Sequence, residues 1–531
     1  MMNDTDVIIV GAGPTGLMLA CQLARFGINF RIIDKKRQRT QESRAIGIQA
    51  KSMEIFQNLK IVDQFLEKAK SPQEAFLYFN NKAKFRLDFQ GMKIKGAPYS
   101  KLFLLSQHDT EEILSNHLEK MGVSVERETE LESFIQTQEG IEAQIRSRLK
   151  NSIETIKSRF IIGCDGAKSK VREIMNIPFE GGSYQQEFIL ADALIHWKYP
   201  KDMFALFSSK KGLLMHIPFN DNYSRLIICE IDSSQNKHNT SVSSEEIEHF
   251  AKNGMGLEIN LEKTLWSSRF ALHHRAVRQY SKGFAFLAGD AAHIHSPVAA
   301  QGMNTGLQDA TNLAWKLALV LKCKSSSTLL DTYQAERQQV GKKLLATTDR
   351  IFEFLTSKNC FILFLKQYIL PNIFYLFNKS HKIKKRIFFF MSELAIHYPH
   401  NSFIRECTTG ADPFFLKGPK AGFRAFDCSF NNTTLFEKLS EKPFNILLFQ
   451  HSPLDNHQQN SLRKIEEMNP DLLSVQRYLK SESNQMLFNM YGVNNSAIYC
   501  IRPDGYIGFR AYGYQFSELV RFLSHLFEGI A

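Results

Sequence analysis

The sequence predicts an α/β protein of more than one domain, and three observations carry that expectation. At residues 7–34 an apolar strand runs through a glycine-rich turn into a helix and a second strand. Residues from about 185 to 270 are strand-rich and irregular. A buried strand then returns at 284–288, followed by apolar residues at 303, 307, 310, 313, 314, 317, 318 and 321, the period of a long helix.

At 531 residues the chain exceeds the roughly 250–300 that one core serves, so two or three domains are expected. Val7–Val10 reads as the first strand, Leu17 to Phe26 as a helix ended by Gly27, and Asn29–Ile33 as a strand closing at Asp34. Leu104 to Met121 reads as a helix; 123–125, 142–146 and 159–162 read as strands. Gly181-Gly182 is read as a domain edge. Beyond it, runs such as 213–217 and 225–231 suggest an antiparallel sheet inserted into the first domain, which resumes at about 271. Gly418, Pro419 and Gly422 mark a linker; strands at 446–449 and 498–501 and a closing helix at 517–527 form a C-terminal unit. The expected division is 1–180 and 271–404 for the discontinuous first domain with its junction helices, 181–270 for the insert, and 405–531 for the C-terminal unit.

Composition narrows the class. Net charge is +12, but Lys and Arg are spread along the chain and no nucleic-acid module stands out; a solvated basic surface is the plain reading. Eight cysteines lie scattered without metal-ligand spacing or C-x-x-C, so no metal site and no disulfide framework are expected, and a reducing cytoplasm is. The N-terminus lacks the basic region of a signal peptide. Residues 361–377, FILFLKQYILPNIFYLF, are apolar but interrupted by Lys366, Gln367, Pro371 and Asn372, and are followed by Lys382, Lys384, Lys385 and Arg386. Buried junction helices are preferred there over a membrane-surface patch.

Three motifs carry chemistry. Gly11, Gly13, Pro14, Thr15 and Gly16 belong to a G-x-G-x-x-G between a strand and a helix, where glycines admit a pyrophosphate and the helix N-terminus favours its charge. Asp34, with Lys35 beside it, stands where an acid takes a ribose hydroxyl pair. Gly289 and Asp290 close the returning strand, Asp290 facing a sugar-alcohol chain; Pro297 and Gln301, Gly302, Met303 and Asn304 follow. Two separated grips suit one extended cofactor, and FAD meets that demand. The third motif, 163–172, carries Asp165, Gly166, Ser169 and Arg172 after a strand. His293, His295, His273 and His274 are read as packed, hydrogen-bonded histidines rather than proton relays.

Together these motifs resemble the para-hydroxybenzoate hydroxylase-like class of flavoprotein aromatic hydroxylases. Asp165, Gly166, Ser169 and Arg172 match its "DG" motif, Gly289 and Asp290 its "GD" motif. Residues 43–48 are similar to the stretch whose arginine, here Arg44, reaches the cofactor, and Gln107 matches a position near the flavin. Residues 446–449 and Arg502-Pro503-Asp504-Gly505-Tyr506 look like the thioredoxin-like C-terminal domain of the phenol and polyketide hydroxylase branch. The chain departs from the family in having Ala299-Ala300 where Gly-Gly is usual. The resemblance implies a Rossmann-like FAD-binding domain and a monooxygenase that takes NADPH (or NADH), O₂ and a small aromatic substrate. Hydroxylation would run through a flavin C4a-hydroperoxide, with Arg44 as the one side chain assigned to the reduction step. A homodimer is compatible with it. The rival readings are a membrane-surface epoxidase or quinone-pathway hydroxylase, and a non-enzymatic carrier of the same fold.

Overall fold

Val7, Ile8 and Ile9 are β-branched and fully buried, so Thr5–Val10 forms a strand covered on both faces. The structure, a computed structural model, describes residues 4–39, 45–89, 92–218, 222–231, 242–294, 301–370, 373, 380–439 and 442–527. Thr5–Val10 lies between two parallel neighbours, Phe30–Asp34 and Ser152–Gly163. Ser152–Gly163 also pairs in parallel with Ala285–Leu287, so a strand from beyond the inserted sheet re-enters the first one. Helix Pro14–Arg25 packs against both Gln107–Lys120 and Gly302–Leu321 beside this sheet. Ser106 caps helix Gln107–Lys120, accepting from the Asp109 amide at 3.0 Å.

The second sheet runs in the order Lys82–Asp88, Glu74–Phe79, Phe204–Ser208, Gly212–Pro218, Ser224–Glu230, Phe179–Trp197, Ile259–Val277 and His293–Ile294. Two sequence expectations need correction here. The sheet is not wholly antiparallel: Phe204–Ser208 runs parallel to Glu74–Phe79, a strand recruited from far upstream of residue 181. Gly181-Gly182 is no break either, since both residues lie inside the 19-residue strand Phe179–Trp197. A Cβ on Gly181 would sit 1.9 Å from the His274 carbonyl oxygen, so the glycine serves close strand pairing. Helix Ser244–Met255, in a stretch read as strand-rich, covers one face of this sheet with Ile247, Phe250 and Ala251.

The third sheet has the order Arg405–Cys407, Ile507–Tyr512, Ala497–Ile501, Phe444–Gln450 and Leu473–Leu479. Phe444–Gln450 and Leu473–Leu479 are parallel, with helix Asn456–Met468 between them in the chain. Ala497–Ile501 and Ile507–Tyr512 follow as an antiparallel pair, and helix Phe516–Leu526 comes last. The unit is fastened to helices Gly302–Leu321 and Thr328–Thr356 by buried charge. Both Glu336 oxygens accept from Arg502, at 2.7 and 2.8 Å, while Lys316 and Asn312 donate to Oε2 at 2.9 and 2.7 Å.

The strand expected at 123–125 falls instead at Glu126–Arg127. The buried-helix expectation for 361–377 also fails over the part that is described. Phe361 is 66% exposed, Phe364 51% and Tyr368 56%. Lys366 turns inward there, donating to the Leu355 carbonyl at 2.7 Å. No helix among the described residues is long and apolar enough to cross a membrane.

Candidate active site

A cavity of about 860 Å³ opens between the first sheet and the second. Its polar end is built on the first strand–turn–helix. Gly11 takes φ +100°, and a Cβ there would lie 2.5 Å from the Cys164 carbonyl oxygen, so no other residue fits the turn. Two residues on, a Cβ on Gly13 would meet nothing within 4 Å: the backbone faces open space. Helix Pro14–Arg25 has no side-chain cap and no acid in its first turn, and Gly13, Pro14 and Thr15 line the cavity. Helix Gly302–Leu321 opens on the same space, through Gly302 and Met303, equally without a side-chain cap or an acid in its first turn. Two uncapped N-termini make this end favourable to anions.

Asp34 and Lys35 line this end, with Lys36, Arg39 and Arg127. Asp34 accepts from the Ala12 and Lys36 amides at 2.7 and 2.8 Å, which ties the end of its strand to the glycine turn. Gln107 also lines the cavity and donates to Glu111 at 2.9 Å. Midway along, Asp165 accepts the Lys170 and Val171 amides on Oδ2 at 2.6 and 3.3 Å, while its buried Oδ1 has no hydrogen-bond partner. Burial outweighs the hydrogen bonds from Ser169 and these amides and raises its pKa. Gly166 and Asp290 line the cavity near it. The far end is apolar: Leu190, Phe204, Met215, Ile217, Ile227 and Phe270 come from the second sheet, Leu104 from the short strand Phe103–Leu104, and Leu102 and Met391 from a loop and a helix end.

Against that geometry, a family profile described as an FAD binding domain matches residues 4–348. An uncharacterized aromatic compound monooxygenase of Bacillus subtilis is 33% identical over 350 residues, 66% of this chain and 68% of that protein. The chain belongs to the FAD-binding monooxygenase family. The monooxygenase is similarly 33% identical to pentachlorophenol 4-monooxygenase of Sphingobium chlorophenolicum over 365 residues, 66% of this chain and 65% of that one. It also superposes on CabE, an aromatic hydroxylase from angucycline biosynthesis, with a TM-score of 0.77 at 25% identity, covering 99% of each chain.

The monooxygenase has the residues to hold FAD. The open face of Gly13 between uncapped helix ends suits the pyrophosphate, and Asp34, Asp165 and Asp290 line the same cavity as acceptors for cofactor hydroxyls. Other sequence-named residues serve these groups indirectly. Gly16 lets its helix pass Gly11, and Gly289 accommodates the Thr15 side chain. Arg172 does not line the cavity; it donates to the Ala291 and Ala167 carbonyls at 2.9 and 2.7 Å and stacks on Phe179, bracing one cofactor loop against the other. Asn304 is turned away as well: Oδ1 accepts from the Gln49 amide and Ser52 Oγ at 2.9 and 2.8 Å, and Nδ2 donates to the Gly47 carbonyl. Arg44, Pro297, Ala299, Ala300 and His295 lie outside the described residues.

His293 is buried and held by Asp309 at 2.7 Å, as a packed histidine should be. His273 lines the cavity with Nδ1 2.7 Å from Ser183 Oγ, and burial lowers its pKa. Among the described residues no group of three or more His, Cys, Asp or Glu could hold a metal. The apolar wall escaped sequence reading. Its only signal was period-two alternation, Leu214, Leu226 and Ile228 facing one core while Met215, Ile217 and Ile227 face the cavity. Both faces are apolar, so the pattern does not say which one looks at a ligand.

Proposed function

We propose that this monooxygenase hydroxylates a phenolic or polycyclic aromatic ring, taking electrons from NADPH or NADH and oxygen from O₂. The observation carrying this reading is the single cavity with two chemistries: a polar channel suited to an extended dinucleotide and a sheet-built apolar wall at its end. A relative that acts on a chlorinated phenol supports it. Bound FAD supplies hydride acceptance and O₂ activation, which no amino-acid side chain provides. The protein's share is placement and dryness. Asp34 would hold the ribose hydroxyls and Asp290 the ribityl chain, and the two helix N-termini would favour negative charge on the phosphates and the reduced ring. Leu190, Phe204, Met215 and Phe270 exclude water and hold a flat ring by its faces. Arg44 remains our candidate for assisting reduction.

The strand order of residues 442–527, a β-α-β unit followed by a hairpin and a helix, supports a thioredoxin-like reading of the C-terminal unit. The eight free cysteines support a cytoplasmic location. NAD(P)H oxidation across a panel of phenols and polycyclic aromatics tests the function. Stimulation by at least one compound, with a hydroxylated product, is the expected result; oxidation indifferent to every ring would refute it. A second reading, catalysis at a membrane surface, is favoured by the exposed Phe361, Phe364 and Tyr368. Liposome flotation separates the two.

A further inference from the structure

Glu393 differs from the other carboxylates around the cofactor loop. It is 3% exposed, and its backbone adopts the left-handed conformation at φ +59°, a strained state for a residue with a side chain. Thr305 Oγ1 donates to Oε1 at 3.0 Å and Gln308 Nε2 donates to Oε2. Both donors belong to the opening turns of helix Gly302–Leu321, which faces the main cavity. Arg337, the cation that draws on it, is committed to Asp309 at 2.7 Å and to the Thr305 carbonyl at 3.2 Å, and Asp309 also holds His293. Burial outweighs these hydrogen bonds and the pull of Arg337, and pushes the carboxyl up to about 8, so it keeps its proton at neutral pH.

Beside Glu393 lies a second cavity of about 130 Å³, whose lining includes Gln301, Thr305, Lys343, Phe390 and His397. That volume accommodates several waters. Gln301 lines it as a polar side chain, its Nε2 directed at the Phe390 and Met391 carbonyls at 3.4 and 3.3 Å. Lys343 and His397 are exposed at its rim. Adjacent residues line different cavities: Gly302 and Met391 face the main one, Gln301 and Phe390 the second. The same two backbone segments therefore form the wall between them.

We propose that Glu393 and this cavity are a proton port: the carboxyl stores a proton behind the first turns of helix Gly302–Leu321 and is recharged from solvent through water in the cavity. The proposal rests on the reading of the chain as an O₂-using flavoenzyme. Passing two electrons from the reduced flavin anion to O₂ yields oxidised flavin and H₂O₂ only when one proton is taken up. Ring hydroxylation, in which NAD(P)H, O₂ and the ring give NAD(P)⁺, phenol and water, takes up one as well. Glu393 releases its proton toward the main cavity and regains one from the rim, with no net change in the protein.

The test uses the FAD-loaded protein reduced anaerobically with dithionite, so neither nicotinamide nor ring substrate takes part. Reoxidation by O₂ is followed in stopped flow from neutral to alkaline pH, in H₂O and D₂O. Wild type should slow as Glu393 loses its proton near pH 8. Glu393→Gln should be slower by about tenfold or more, without that pH step, and Glu393→Asp should restore the step. Leu344→Trp, which fills the cavity while leaving the Glu393 carboxyl in the chain, should slow reoxidation in the same way. Infrared spectra of the FAD-loaded protein give a readout independent of turnover: a protonated-carboxyl band lost near pH 8 and absent from Glu393→Gln. Identical pH profiles and isotope effects for wild type and Glu393→Gln would overturn the port, as would a missing infrared band. Reoxidation remains measurable even if no ring is hydroxylated, so failure of the functional reading is told apart from failure of the port.

Discussion

Two buried sets of charge, one in the cofactor cavity and one at the C-terminal seam, are built to opposite rules. At the seam every strong partner comes from the fold: Glu336 receives Arg502, Lys316 and Asn312, and Arg502 also meets Asp504. In the cavity two helix N-termini stand uncapped and the Gly13 backbone faces open space. The difference teaches how to tell charge that completes a structure from charge that awaits a ligand. Removing a seam group strands its partners at once; removing a cavity group matters chiefly once a ligand is present.

The largest effect is expected at the seam. Glu336→Ala leaves Arg502 and Lys316 buried without their carboxylate and should cost about 3–5 kcal/mol of stability, whether or not FAD is bound. Chemical denaturation with and without FAD measures it. Burial works to raise the Glu336 pKa, but Arg502 and Lys316 overcome it and hold the carboxyl well below its usual range. Its contribution is thus present above the ordinary glutamate pKa and lost as pH falls, so wild type should lose more stability in acid than Glu336→Gln. Equal acid sensitivity would refute the assignment.

Gly13→Val should act in the reverse manner. The apoprotein should fold with at most a helix-capping loss of about 1 kcal/mol, because a Cβ there meets no protein atom, while FAD affinity drops by at least tenfold, about 1.4 kcal/mol. Titration of apoprotein with FAD decides it, and unchanged affinity would show that the pyrophosphate lies elsewhere.

Asp165→Asn sharpens the comparison further. The raised Asp165 pKa means that the folded apoprotein retains a proton the unfolded chain has released. Apoprotein stability should therefore fall as pH climbs from the ordinary aspartate range through the raised value, and the substitution should remove that fall. The smallest effect is expected for Asp290→Ala. Asp290 is exposed at the cavity mouth, so FAD binding should weaken by about 1 kcal/mol with folding intact.

What was legible in the sequence follows the same division. Glycines forced by close approach announced themselves: Gly11 and Gly16 sit where a Cβ would strike backbone, and the motif that contains them lines the cavity. Strong apolar runs located strands to within a residue or two, as at Phe444–Gln450 and Ala285–Leu287. Long-range pairing left no local mark. Nothing in residues 74–88 says that they join a sheet whose other strands begin at Phe179, and the Gly181-Gly182 pair imitates a break because its cause, the His274 backbone, is distant in sequence. For Asn304 and Arg172, which way each side chain turns depends on Gly47, Gln49, Ser52 and Ala291, partners from other elements. Glu393 carries no motif at all; only burial and its two donors single it out.

Cofactor content tests the central claim, that the unsatisfied cavity groups are the grip of one FAD. The purified or reconstituted protein should be yellow and hold about one FAD per chain, because the two grips lie on a single extended cavity. Wild type and Glu336→Gln should share that ratio, while Gly13→Val should fall far below it. A folded wild-type protein that stays colourless and cannot be loaded with FAD would contradict the account.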